Sequence, residues 1–171
     1  GDTWSALSEA TFLIGKPTLA ISELQYHPAD WPQGTSGDRD DFEFIEVFNY
    51  GMVPVELDGV RFTDGVDFDF SGSSVSSLAA GQYGVVVRDL AAFRARYDTD
   101  GMTIIGEYLA SGDQLSNSGE RMELVDAFDQ TIAAFRFKDG WYNFVKEVTT
   151  NPFLSLKSEP KPKSKPKKIK R

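Results

Sequence analysis

The side chains with the most chemical potential in this chain are carboxylates. Asp38-Arg39-Asp40-Asp41 and Asp98-Thr99-Asp100-Gly101 each place several hard oxygen donors on turning backbone, the ligand chemistry that calcium takes. Asp38, Asp40 and Asp41 are the calcium candidates. Neither run has the full D-x-[DN]-x-[DN]-G spacing with a distal Glu, so solvated loop acids are the competing reading. Asp40-Asp41 and Asp67-x-Asp69 would serve a glycosidase only if two acids faced a sugar-sized cleft with separated pKa values, which spacing alone does not establish. The single histidine, His27, has no second His or Cys with which to complete a zinc site. The absence of cysteine excludes a disulfide framework and every thiolate metal site. No G-x-S-x-G, P-loop or G-x-G-x-x-G occurs. These residues predict no enzyme and no cofactor beyond the calcium candidate.

Charge narrows the partners. From Lys157 to Arg171 eight Lys or Arg stand against Glu159, a net of +7, which leaves −15 for residues 1–156 of a whole-chain −8. An acidic body repels phosphate backbones, so nucleic acid is not expected to bind it; the basic segment is the candidate for non-specific polyanion binding. That segment, 157–171, carries Pro160, Pro162 and Pro166, no aromatic residue and one aliphatic one, and reads as a disordered tail. The chain is 40% apolar, enough for one ordinary core. No window approaches the ~20 apolar residues of a membrane-spanning helix. The opening GDTW lacks an initiator Met and suits a piece of a longer protein, so a missing export signal does not argue for the cytoplasm.

The elements that must position these side chains read as strands. Val66, Phe68 and Phe70 alternate with Asp67 and Asp69, and Met122 and Leu124 alternate with Arg121 and Glu123, the period of half-buried strands. Val85–Val87 suits a central strand, and Ile132–Phe137 predicts another that is more fully covered. Turn dipeptides separate the runs: Asp58-Gly59, Asp64-Gly65, Ser71-Gly72, Ala80-Gly81, Asp100-Gly101, Ser118-Gly119 and Asp139-Gly140. Short strands at such intervals predict an all-β sandwich rather than a βαβ fold. One short helix interrupts them: Asp89 caps it, and Leu90, Phe93 and Tyr97 form its apolar stripe. It is expected to cover an open end of the sandwich. The stretch from His27 to Asp41 is the longest loop. Tyr26, Trp31, Trp141 and Tyr142 would form a carbohydrate- or protein-binding platform if exposed, and an edge-capping cluster if not.

LAISELQYHPAD (19–30), EFIEVFN (43–49), VELDGVRFTDGVDFDF (55–70), LAAGQYGVVVRD (78–89) and LSNSGERMELVD (115–126) stand in an order that resembles the lamin-tail domain, most of all its bacterial form. The likeness runs from Leu19 to Leu156, with GWYNF to FLSL where the family has its closing strand. It implies an immunoglobulin-like β-sandwich, preceded by an extension or the remnant of another domain at 1–18, of which Trp4–Phe12 would pack loosely. It further implies a non-catalytic interaction or spacer module of a larger secreted or cell-surface bacterial protein, with a protein or cell-surface partner. In such proteins the module lies beside hydrolases, other β domains or kinase domains related to spore-coat proteins; in nuclear lamins it docks proteins and chromatin. No heptad run that would make a lamin rod is present. A calcium-dependent adhesion or carbohydrate-binding domain is the alternative.

Within EFIEVFN, Ile45 and Val47 face one side and Phe44 and Phe48 the other, which sets Glu46 between two aromatic neighbours and in need of a partner. Backbone or an Arg such as Arg61 or Arg121 is the expected one. Asn49 is expected to end the strand by bonding its own backbone, and Ser116–Gly119 to make a tight connection.

Overall fold

A computed structural model describes residues 15–31, 37–108 and 112–138. The expectations for Trp4–Phe12, for the closing segments GWYNF and FLSL and for the basic segment 157–171 lie outside these residues. In chain order the described strands and helix are β1 (Leu19–Gln25), β2 (Phe44–Asn49), β3 (Val55–Glu56), β4 (Arg61–Asp64), β5 (Phe68–Asp69), β6 (Ser77–Leu78), β7 (Tyr83–Val87), α1 (Leu90–Arg96), β8 (Ile104–Glu107), β9 (Arg121–Val125) and β10 (Thr131–Arg136). Single 3-10 turns cover Arg39–Phe42 and Phe70–Gly72.

Alternation along β2 decides the architecture. Ile45 and Val47 join Val86 and Ile105 in a first apolar layer, and Phe62, Met122 and Leu124 supply the layer opposite. These come from two four-stranded sheets, ordered β1-β2-β7-β8 and β10-β9-β4-β5, with β3 and β6 as a separate two-stranded ladder. The fold is therefore an all-β sandwich with one short helix. Residues one step out of phase, Phe44, Val85 and Val87, face the other way and form a second cluster with Phe93 of the helix and Tyr97 at its C-cap.

That second cluster corrects the expected position of α1. The helix lies on the outer face of the first sheet rather than over an open end, and the reason is topological. Strands β7 and β8 are parallel neighbours. Parallel strands require a crossover, and a crossover helix packs on the face of its sheet. Asp89 caps the helix as expected, its Oδ1 accepting from the Ala92 N–H at 2.8 Å.

The other strand expectations divide by position. Val85–Val87 does lie in a central strand, between β2 and β8, and Met122 and Leu124 are buried in β9. The run Ile132–Phe137 contains most of β10, which among the described residues pairs with β9 and is half-covered where fuller burial was expected. The Val66–Phe70 alternation holds for burial but yields only the short β5, because Asp69 accepts from the Ser71 N–H and turns the chain into a 3-10 helix. Gly72 belongs to that helix and takes no positive φ. Gly119, at φ +92°, does fill the predicted tight connection, and a Cβ there would strike the Phe137 carbonyl at 2.4 Å.

Candidate functional site

Strand β2 runs from one end of the sandwich to the other, and EFIEVFN leaves a fully buried polar residue at each end: Glu43, just before the strand, and Asn49, its last residue. The Glu43 end gathers most of the chemistry. Glu43 Oε2 accepts from the Tyr108 hydroxyl at 3.1 Å and from the Leu115 N–H at 2.8 Å, so one carboxyl ties together both sides of the loop between β8 and β9. Among the described residues its Oε1 has no hydrogen-bond partner, and neither do Arg88 Nε and Nη1 or Asn117 Oδ1, all of them buried. Burial pushes the Glu43 carboxyl up to about 8, and the same burial, with Glu43 beside it, raises the Tyr108 phenol above its ordinary range. Glu120, whose Oε1 accepts from the Ser116 N–H at 2.7 Å, is also raised by burial.

The calcium candidates lie beside this cluster, and each carboxylate has its own work. Asp38 caps the 3-10 turn by accepting from the Asp40 N–H at 3.0 Å, and Asp41 closes the capping box by accepting from the Asp38 N–H at 3.2 Å. Asp41 also faces Arg88 at 3.7 Å. Asp40 is buried, 3.5 Å from both Arg39 and the Asn117 amide. Among the described residues no group of three or more His, Cys, Asp or Glu is arranged to hold a metal ion. Asp98 and Asp100 form a local turn, the Asp98 carboxylate accepting from the Asp100 N–H at 3.3 Å.

Of the four aromatic residues expected to form a platform or an edge-capping cluster, the two described, Tyr26 and Trp31, pack as anchors. Tyr26 is buried against Phe137, with ring centroids 4.7 Å apart. Trp31 packs on Phe42 at 4.4 Å, and the Arg96 guanidinium lies 4.3 Å from the same Phe42 ring. Trp141 and Tyr142 lie outside the described residues. His27 is half-buried in the bend that follows β1. Glu46 faces the outer side of its sheet as expected, but its carboxylate accepts from the Ser22 hydroxyl at 2.8 Å. Arg61 and Arg121 are not its partners: they belong to the other sheet, where they pair with Asp129 and with Asp64 and Glu123. Glu23 stands across the strand pair from Glu46, and burial together with the Glu46 charge raises it to about 7.

The Asn49 end is built differently. Asn49 Oδ1 accepts from the Thr18 hydroxyl at 2.8 Å and the Gly51 N–H at 2.9 Å, and Nδ2 donates toward the carbonyls of Val53, Leu78 and Ala79 within 3.0 Å. The expected bond to its own backbone is thus one of five. Asp126 plays the same part in the β9–β10 turn, accepting from the N–H groups of Phe128 and Gln130 at 2.9 Å. Around these anchors stand the exposed large apolar side chains of the described residues: Tyr50, Met52, Val53, Tyr83 and Phe128. All five belong to one end. Tyr83 pairs with Phe48 next to Asn49, the Tyr50 N–H donates to Thr18, Lys16 Nζ donates to Thr131, and Gly59 abuts Ala127.

Sequence reasoning missed Glu43, Tyr108 and Arg88 as a cluster, and the apolar loop tips Met52 and Phe128. A polar residue opening an apolar run was the available sign of Glu43. Neither a scan against the profiles of known protein families nor a search of curated proteins finds a match for this chain.

Proposed function

We propose that the chain is an immunoglobulin-like sandwich of the lamin-tail type, and that it works as a non-catalytic interaction or spacer module of a larger secreted or cell-surface bacterial protein. One observation carries the reading: every exposed large apolar side chain among the described residues lies at the Asn49 end, Tyr83 at the start of β7 and the other four on loops held by buried polar anchors. Met52 is 94% and Phe128 80% exposed. Apolar groups on rigidly held loop tips favour docking to a protein surface, whereas the carboxyl-rich end is spent on internal bonds. Among the described residues no helix is long and apolar enough to cross a membrane.

The test is photo-crosslinking on the source cells. A photoreactive residue at position 52 or 128 should give the same protein adduct, and one at position 118, at the Glu43 end, should give none. Equal labelling from both ends would overturn the assignment of the docking end.

A further inference from the structure

We infer that the basic segment 157–171 of the same chain occupies a hollow at the Asn49 end, between Lys16–Pro17, the Glu56–Val60 stretch and the Asp126–Gln130 turn. The inference rests on the reading of that end as the docking end and names one occupant for it. The hollow has a volume of about 610 Å³ and is open to solvent. Pro17, Val60, Ala127 and Phe128 make its lining largely apolar, and Glu56 and Asp58 stand exposed at its rim. Lys16 Nζ is turned away to the Thr131 carbonyl at 2.9 Å, so it does not neutralise those acids directly.

Charge and reach select the occupant. Segment 157–171 carries a net +7 and offers one aliphatic side chain, Ile169, between Lys168 and Lys170: a cationic sequence with a single apolar anchor. The hollow offers the complement, exposed carboxylates around an exposed Phe128. β10 carries the chain away from this end over six residues, a distance of roughly 20 Å. Eighteen residues separate Lys138 from Lys157, and at up to ~3.3 Å per residue they span the return with length to spare. An anionic partner would have to compete with the body for this segment, and a docking partner would have to displace it.

The test uses the full chain, whose lack of cysteine lets Ser164→Cys carry a single nitroxide. At low salt, amide signals of residues 57–60 and 126–130 should lose more than half their intensity relative to the reduced label, while those of Tyr108 and 115–120 should not. The double variant Glu56→Lys, Asp58→Lys changes two exposed side chains and should restore the signals, as should about 1 M salt, where the Debye length falls to about 3 Å. Attenuation centred on the Glu43 end, uniformly weak attenuation, or attenuation that survives the charge reversal would each overturn the inference. So would attenuation that persists when spin-labelled, isotope-free chains are mixed with unlabelled isotopic ones, because that assigns the contact to a second copy. None of these readouts involves an external partner, so crosslinking from positions 52 and 128 can fail or succeed independently.

Discussion

The two ends of β2 solve the same problem with different chemistry. At one end Asn49, neutral, fills both halves of its amide with five contacts that hold three separate stretches of chain. At the other Glu43, ionisable, anchors Tyr108 and Leu115 through one oxygen and leaves the second without a partner among the described residues. An amide is donor and acceptor at once, so burying it among backbone groups leaves no residual charge. A carboxyl is acceptor only when ionised, and each buried group that lacks a partner costs free energy. The loop that Asn49 anchors can thus display Met52 and Val53 without depending on the charge state of its anchor. The loop at the Glu43 end is held by a group whose protonation state can change.

The sharpest way to break this comparison is to remove the carboxyl. Glu43→Leu takes a buried acceptor away from the Leu115 N–H and the Tyr108 hydroxyl, next to the buried Arg88 guanidinium, and should cost about 3–5 kcal/mol in urea or thermal unfolding. Glu43→Gln keeps an acceptor in place and should cost much less. Equal losses for both variants would mean that side-chain volume, rather than the hydrogen bonds, holds the loop.

Asn49→Ala tests the opposite end and should cost less, about 2–3 kcal/mol, because the groups it abandons include carbonyls near the surface that water can reach. The loss should appear first as faster hydrogen exchange in residues 50–53, whose loop the amide anchors. A larger loss than for Glu43→Leu would reverse the ranking of the two ends.

Much of this architecture was legible in the residues. Phe44 through Asn49 showed which side chains face which way, because period two is rigid in a strand and both faces of β2 are covered. Asp89 and Leu90–Tyr97 showed a helix, since cap and stripe are local. The face it covers was not legible, because that depends on β7 and β8 being parallel neighbours, a property of pairing rather than of either strand. Asp38, Asp40 and Asp41 drew attention as hard ligands for the same local reason. Their bonds to backbone N–H groups are local, within three residues, but the approach of Asp41 to Arg88 and of Asp40 to Asn117 joins segments 47 and 77 residues apart in sequence. Glu43, Arg88 and Tyr108 escaped notice because the three meet only after both sheet edges and the crossover have formed.

A pH titration sharpens the comparison further. Glu43 and Glu23 are held protonated well above the ordinary carboxylate range, to about 8 and about 7, by burial and, for Glu23, by the charge of Glu46. Between the ordinary carboxylate pKa and these values the folded chain binds protons that the unfolded chain has released. The resulting stability is present in full below about pH 4.5 and is lost as pH rises through 7 and 8. Melting temperature should therefore fall by on the order of 5 °C between about pH 5.5 and about pH 8.5, with the loop around Leu115 loosening first. Glu43→Gln should flatten the upper part of that slope, whereas Asn49→Ala should leave its shape unchanged. A profile that rises with pH over this range would mean that Glu43 is ionised in the folded state and held by Arg88.

The smallest expected effect is the one that best separates folding from display. Met52→Ser and Phe128→Ser remove apolar side chains from loop tips at the Asn49 end, where almost none of their surface is withdrawn from water. At roughly 25 cal/mol per Å² of buried apolar area, a side chain that buries little can stabilise little, and each variant should stay within about 0.5 kcal/mol of the parent. Phe62→Ser provides the contrast, since that ring is 1% exposed and meets Phe70 in the main core at a centroid distance of 5.5 Å. It should cost several times more, and the polar hydroxyl would add to the cavity left behind. If Phe128→Ser proved comparably destabilising, the ring would have to be part of the folded core rather than open to reversible contact by segment 157–171 or a partner, and its place as a docking element would be lost. Unchanged unfolding together with abolished crosslinking from position 52 would assign these tips to recognition alone.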